Sequence, residues 1–270
     1  MRPTAIVTGA TSGIGRSYAE AFAARGYDLL ITGRREEKLL GLVEELSSRR
    51  GVHAEYRIVE LTDHSALRAL AAEIRHLAAP AVLVNNAGFG RPGTFHEDDA
   101  EGQAGMVTVH VEATLRLSHA VIPRMMQRGE GWIINVSSLA SYLPLPRGGV
   151  YSSTKAWVVS FTESLSLELG SYGIRCQALL PGFTHTDFHR GPEYSKLDRR
   201  SRGLVRWMEP DEVVAISLRS IERGRKVVCV PGAANRLNAF VVRHMPRSLL
   251  KRMVSSIRFT RDDEPGDGEQ

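Results

Sequence analysis

The sequence is poor in cysteine, with Cys176 and Cys229 standing alone. Both sit in short apolar runs, 174–180 and 227–230, that read as buried strands, so they are expected to be reduced core residues. Their separation fits neither a CxxC redox pair nor a metal site, and no other His and Cys group has ligand spacing; no metal is expected. Also lacking is an apolar stretch of the roughly 20 residues needed to cross a bilayer. No block of one charge sign occurs: the formal net charge is +5, and Lys and Arg are scattered among Asp and Glu. Nothing there would track a phosphate backbone, and nucleic acid is not an expected partner. From Met1 to Val7 there is no succession of basic, apolar and small residues like a secretory leader, which predicts a cytoplasmic protein.

What is present is globular. A chain of 270 residues, 43% hydrophobic and 24% charged, can bury one substantial core, and one domain is the simplest reading. Short β-branched or Leu-rich runs begin near Ala5, Tyr27, Tyr56, Ala81, Trp132, Arg175 and Val227, and they alternate with longer amphipathic segments. Leu39, Val43 and Leu46 mark one helical face, and Leu67, Leu70, Ile74 and Leu77 another. This rhythm predicts an α/β fold, a doubly wound parallel sheet of about seven strands with helices on both faces.

Three regions break the alternation. Residues 88–105, rich in Gly and acidic side chains, read as a loop entering a long helix. Residues 184–209 follow Pro181-Gly182 and are polar and Arg-rich, with Phe188, Tyr194 and Trp207 spaced through them; a lid or a disordered insertion would look like this. From Ala233 two amphipathic stretches are split by Pro246, up to residue 258, and an acidic tail over 259–270 is expected to be flexible.

The segment Thr8-Gly9-Ala10-Thr11-Ser12-Gly13-Ile14-Gly15 follows the first strand and opens the first helix. Free N–H groups and the positive end of the helix dipole face outward there, where a pyrophosphate fits. Glycine is needed because a Cβ would obstruct the tight turn and the approach of the phosphate. The spacing is G-x-x-x-G-x-G rather than the more familiar GxGxxG. Further along come Asn85-Asn86-Ala87-Gly88 after a strand, Ser138 at the end of another, Tyr151-Ser152-Ser153-Thr154-Lys155, and Pro181-Gly182.

These motifs, in this order from Met1 to Gly232, resemble the short-chain dehydrogenase/reductase family. The resemblance implies a Rossmann-like fold, residues 1–258 as one dinucleotide-binding and catalytic domain, and an oxidoreductase interconverting a secondary alcohol and a ketone or 3-oxoacyl carbonyl. It implies that Gly9, Thr11, Ser12, Gly13, Ile14 and Gly15 hold the cofactor's phosphates. Asn86, Ala87 and Gly88 would line the adenosine side, with Glu60-Leu61 where relatives have Asp-Leu beside the adenine. Pro181, Gly182 and either Thr184 or Thr186 would lie on the nicotinamide side.

Relatives that prefer NAD(H) carry an acid at the end of the second strand for the ribose hydroxyls. Here Thr32-Gly33-Arg34-Arg35 has none: Gly33 leaves room for a 2′-phosphate and Arg34 offers a planar charged fork, so NADP(H) is expected over NAD(H). In the other reading the two arginines only begin the next helix.

Tyr151 and Lys155 are four residues apart, so a helix places them on one face. A free phenol has a pKa of about 10, which a neighbouring ammonium lowers. By the resemblance Tyr151 exchanges the proton, Lys155 also holds the nicotinamide ribose, and Ser138 hydrogen-bonds the substrate oxygen; Ser137 is the adjacent alternative, expected to point the other way. The family usually has Asn where this chain has His110. That ring either holds a water or shuttles a proton in the relay to Lys155, or turns to the backbone.

The aromatics near the lid suit an apolar or lipid-like substrate. Leu237, Phe240, Val241, Leu249, Leu250, Met253, Val254 and Ile257 lie at helical spacing among basic residues. That stripe docks on its own domain, on a second subunit, or peripherally on a membrane. The resemblance implies a homodimer or homotetramer through the helices bearing His110 and Tyr151. The alternative class is a sensor or scaffold that binds NADP(H) without turnover.

Overall fold

The computed structural model describes residues 2–189, 201, 206–224 and 226–256. Tyr194, most of the expected lid and the 259–270 tail lie outside the described residues.

Seven strands form within one or two residues of the expected starts: β1 (Thr4–Val7), β2 (Asp28–Gly33), β3 (Ala54–Ile58), β4 (Pro80–Asn85), β5 (Gly131–Val136), β6 (Ile174–Leu179) and β7 (Val228–Cys229). They make one parallel sheet in the order β3-β2-β1-β4-β5-β6-β7. The chain winds outward from β1 to β3, returns to the other side of β1, and winds outward again to β7. Helices α1 (Gly13–Ala23), α2 (Glu36–Arg50) and α7 (Pro210–Arg223) cover one face, and α3 (His64–His76), α5 (Ala113–Arg128) and α6 (Gly149–Leu169) the other. This is the Rossmann-like architecture expected. It puts a crevice at the carboxyl ends of β1 and β4, where the winding reverses and ligands of such sheets bind.

Strand side chains alternate between the two layers. Ala5, Val7, Leu29, Ile31, Val82, Val84 and Ile134 meet Tyr18, Phe22, Leu39, Leu46 and Ile221 on one face. Ile6, Leu30, Leu83 and Ile133 meet Leu67, Ile74, Leu117, Val121 and Leu165 on the other. Both layers are apolar, which is why the strands read as continuous hydrophobic runs. Phe22 is fully buried among the rings of Tyr18, Tyr27 and Trp132, with centroids 6.0, 5.4 and 6.5 Å away. Phe22→Ala is expected to cost about 3–5 kcal/mol of stability in urea unfolding. A loss below about 1 kcal/mol would show that this layer closes over the gap.

The long helix expected after residue 105 is interrupted. α4 (Ala100–Val107) runs through one π-helical turn, Thr108–Glu112, into α5. His110 lies in that turn and is buried, facing α6 and Phe89. Pro246 separates α8 (Ala233–His244) from α9 (Arg247–Ser256), as read from sequence. Among the described residues no helix is long and apolar enough to cross a membrane, and no cluster of His, Cys, Asp and Glu is placed to hold a metal.

Candidate active site

The glycine turn leaves β1 and enters α1 with Gly9 at φ +66° and Gly13 at φ +57°, conformations that disfavour a side chain. Space reinforces that demand. A Cβ on Gly9 would lie 2.9 Å from Ala87 Cα, and one on Gly15 would meet Gly9 O and stand 2.5 Å from Asn86 Nδ2. The turn is braced from β4: Asn86 Nδ2 donates to Thr8 O at 3.0 Å and Gly9 O at 3.1 Å, while Thr8 Oγ1 accepts the N–H groups of Asn86 and Ala87 at 3.0 Å each. Asn86 and Ala87 therefore shape the phosphate turn. Ser12 caps α1 in extended conformation with no side-chain bond to the helix, so its first N–H groups are left to an anion. A cradle that any Cβ would fill, at a helix N-terminus, fits a dinucleotide pyrophosphate.

At the end of β2 the two arginines diverge. Arg34 turns away from the glycine turn to Glu60, Nη1 to Oε2 3.3 Å. Glu60 also accepts the Thr62 N–H at 3.2 Å, and Leu61 is buried in the core. Arg35 lies across the turn, its Nη2 2.6 Å from Thr11 Oγ1 and 2.9 Å from Ser12 Oγ. Its Nη1 reaches Asp187 Oδ2 at 3.0 Å, with Lys38 Nζ 3.5 Å from the same oxygen. Arg35 and the other donors around it hold the Asp187 carboxyl below its usual range. The cation over the phosphate turn is thus Arg35 rather than the expected Arg34, because successive side chains leaving the strand point opposite ways. A Cβ on Gly33 would lie 2.6 Å from Thr11 Cγ2, so a side chain there would require Thr11 to move.

The Pro-Gly segment separates the two threonines left open by the sequence. Thr184 is buried, its hydroxyl donates to Gly182 O at 3.1 Å, and its backbone pairs with Met208. Thr186 is the threonine at the turn: a Cβ on Gly13 would lie 2.7 Å from its Cγ2. Pro181 O accepts the Leu139 N–H at 3.1 Å, and Gly182 makes room for Asn235 of α8.

At the carboxyl end of β5, Ser137 and Ser138 take different partners. Ser137 Oγ donates to Lys155 O at 2.7 Å, tying α6 to the sheet. Ser138 caps a 3-10 turn, Leu139–Tyr142, its Oγ accepting the Ala140 N–H at 3.2 Å, and its hydroxyl is near enough to the Tyr151 phenol to lower that group's pKa. Lys155, 5% exposed, donates to Val136 O at 3.0 Å and stands 5.8 Å from the Tyr151 ring centre. Ser138, Tyr151 and Lys155 are therefore together, one strand beyond the Gly88 bend. A Cβ on Gly88 would come within 3.5 Å of Lys155 Nζ.

The electrostatics differ from the expectation drawn from spacing. Burial raises the Tyr151 pKa, and the group that pulls it down is the Ser138 hydroxyl rather than Lys155. Burial also brings Lys155 down to about 7. The lysine sits over the ring with its ammonium bonded to a backbone carbonyl, and taking either charge out of water costs more than this arrangement returns.

His110, 2% exposed, is turned to protein groups at both nitrogens. The Thr154 hydroxyl donates to Tyr151 O at 2.9 Å, so it must accept from His110 Nδ1, also at 2.9 Å. Nε2 is then the lone-pair nitrogen and accepts the Phe89 N–H at 3.3 Å. Burial, then the Lys155 charge, push its pKa well below the usual value. Of the two readings for His110, the ring turned to the backbone is the one observed, its partner an N–H. Its edge packs on Tyr151, centroids 5.7 Å apart. Phe188 packs on the same phenol at 5.8 Å.

Residues that the motifs did not single out are Lys38, Thr154 and Asp187, whereas Phe188 is one of the aromatics read from the segment after Pro181-Gly182. Thr154 was legible only as a hydroxyl inside the YxxxK helix, and Asp187 only as the acid following Pro181-Gly182; neither spacing indicates its partner.

Residues 3–194 match the short chain dehydrogenase family. Sulfoacetaldehyde reductase 2 of Chromohalobacter salexigens is 36% identical over 191 residues, 70% of this chain and 75% of that protein. A short-chain dehydrogenase from Sphingobium yanoikuyae, solved in complex with NADPH, superposes with a TM-score of 0.79 at 34% identity, covering 97% of this chain and 99% of that one. The bulky-bulky ketone specific alcohol dehydrogenase from Comamonas testosteroni superposes with a TM-score of 0.76 at 30% identity, covering 98% and 99%.

Proposed function

The chain belongs to the short-chain dehydrogenase/reductase family, oxidoreductases that act on alcohol and carbonyl groups with a nicotinamide cofactor, and from that premise we propose that it reduces an apolar, bulky ketone or 3-oxoacyl carbonyl with NADPH. The observation that carries the reading is the meeting of Ser138, Tyr151 and Lys155 beside the braced glycine turn.

Bound in that cradle, the dinucleotide supplies a hydride from its nicotinamide ring. The protein supplies the rest. The Ser138 hydroxyl holds the carbonyl oxygen, and the Tyr151 phenol delivers a proton to it. A raised Tyr151 pKa keeps the phenol protonated near neutral pH, which suits reduction; alcohol oxidation needs the phenolate and higher pH. Lys155 anchors the nicotinamide ribose and, when charged, eases proton loss from Tyr151. The rings of His110 and Phe188 flank the phenol and favour an apolar substrate over a charged one.

Lys155 sets a pH dependence. Its ammonium is present below about 7 and lost above. For the free enzyme, kcat/KM of carbonyl reduction is expected to fall as pH rises from 6 to 9, with an apparent pKa near 7. A pH–rate profile flat across that range would remove the lysine's charge from the mechanism.

Arg35, with Lys38, Thr11 and Ser12, is the anion site assigned to the 2′-phosphate, and the Asp187 carboxylate now on Arg35 marks it as one that attracts negative charge. Arg35→Ala is expected to weaken NADPH binding about 10- to 100-fold and NADH binding by less than about threefold, as suits loss of a charge-assisted bond. Fluorescence titration with both cofactors measures this. Equal losses for both would place Arg35 on a shared phosphate instead.

Pairing of subunits through α5 and α6 rests on the family resemblance. A panel of ketones followed by NADPH consumption, with NADH in parallel, tests the whole reading. Turnover of bulky apolar ketones with NADPH is the expected result; faster turnover with NADH or of charged aldehydes would displace it.

A further inference from the structure

The two carboxy-terminal helices are docked on the domain by one face and leave a second apolar face open. α8 buries Asn235 and Ala239, and α9 buries Leu250 and Val254. Asn235 Nδ2 donates to Pro231 O at 2.9 Å and packs against Gly182, so the docked side is firmly held. On the outer side Leu237, Phe240 and Val241 follow one another at helical spacing, 52%, 61% and 46% exposed, and Leu249 on α9 is 51% exposed. Single exposed apolar residues are ordinary on protein surfaces, but four on two consecutive helices form a patch that asks for an explanation.

Charge says what covers it. From Arg223 to Arg261 the chain contains no Asp and no Glu. Within that stretch Arg236, Arg243, Arg247, Lys251 and Arg252 are exposed on the same two helices as the apolar patch. A second copy laid face to face on this surface would bring two sets of like charges together. A sheet of anionic headgroups is complementary to both parts: acyl chains to the apolar stripe, phosphates to the guanidinium and ammonium groups at its edge. The long basic side chains keep their heads in the headgroup layer while their stems cover apolar surface.

We infer that α8 and α9 form a peripheral docking surface for an anionic lipid bilayer. The surface lies on the substrate side of the molecule. Arg243 stands over the Tyr142 ring at 6.0 Å, in the 3-10 turn that Ser138 caps. Docking would therefore bring the 3-10 turn beside Ser138 close to the membrane, where apolar carbonyl compounds dissolve.

Flotation of the full-length protein tests the proposal without any assay of activity. Vesicles of phosphatidylcholine and phosphatidylglycerol in equal parts are expected to carry the protein up the gradient, and vesicles of phosphatidylcholine alone are not. The double variant Leu237→Asp, Phe240→Asp is expected to lower partition onto anionic vesicles by about tenfold or more, with thermal midpoint and NADPH binding unchanged because both side chains point outward. A second variant, Arg243→Glu with Arg247→Glu, separates charge from apolar contact and is expected to abolish the preference for anionic lipid. Protein left in solution with both vesicle types overturns the proposal, as does equal flotation with both. Light scattering that shows an oligomer dissolved by the Leu237 and Phe240 substitutions, with no flotation, overturns it in favour of a second copy.

Discussion

Tyr151→Phe is expected to lower kcat by about 10²- to 10⁴-fold while NADPH still binds, the loss typical of removing a positioned proton donor. The phenol hydroxyl is the proton source aimed at the site that Ser138 shares. Phenylalanine keeps the ring contacts with His110 and Phe188 and with the lysine below. The fold and the cofactor cradle should thus survive, and a thousandfold loss would correspond to about 4 kcal/mol of transition-state stabilisation. Stopped-flow NADPH binding alongside steady-state turnover separates the two effects. A variant that binds NADPH normally and turns over within about threefold of the parent would assign the proton transfer elsewhere. A biological effect that survives unchanged in this variant would favour the sensor or scaffold class, for which the phenol is dispensable.

Gly15→Ala is expected to abolish cofactor binding, raising the NADPH Kd about 100-fold or more, since binding needs phosphates brought onto the helix N-terminus. The new Cβ would collide with Gly9 O and stand 2.5 Å from Asn86 Nδ2. Neither neighbour can yield cheaply. Gly9 is in the left-handed conformation that defines the turn, and Asn86 holds it through bonds to Thr8 O and Gly9 O. The sheet core lies elsewhere, so circular dichroism should remain that of the parent even where the thermal midpoint drops. Isothermal titration with NADPH reads the result. An alanine variant that binds with the parent's affinity would show that the phosphate turn is not where the cofactor rests.

Much of this molecule can be read from its residues because the relevant physics is local. Parallel strands buried on both faces must be apolar throughout, so runs such as Ala81 to Val84 and Trp132 to Val136 announce themselves. Glycines at Gly9, Gly13 and Gly15 are legible because a turn that tight excludes Cβ atoms. The helical spacing of Tyr151 and Lys155 brings them to one face. What spacing does not convey is direction and depth. Lys155 ends up bonded to Val136 O in a buried place, and burial reverses the simple expectation for the Tyr151 pKa and lowers that of Lys155. Arg34 and Arg35 are adjacent in sequence, yet one faces Glu60 and the other the phosphate turn. Their difference depends on where β2 ends. His110 resembles a titrating relay residue until Thr154 and Phe89 are seen to occupy its two nitrogens. Thr184 and Thr186 are likewise told apart only by the pairing of Thr184 with Met208. The amphipathic pattern of α8 reveals one apolar stripe in sequence; the structure resolves it into a docked side and an open one.

Transfer of a label tests the central claim most directly. NADPH carrying deuterium in place of both hydrogens at the nicotinamide C4 would be incubated with the protein and a bulky apolar ketone, and the alcohol product analysed by mass spectrometry. The expected product carries one deuterium on the carbinol carbon, formed by the parent and lost with Tyr151→Phe. An alcohol made without that deuterium, or none made from any carbonyl by a protein that demonstrably binds NADPH, would contradict hydride transfer at this site.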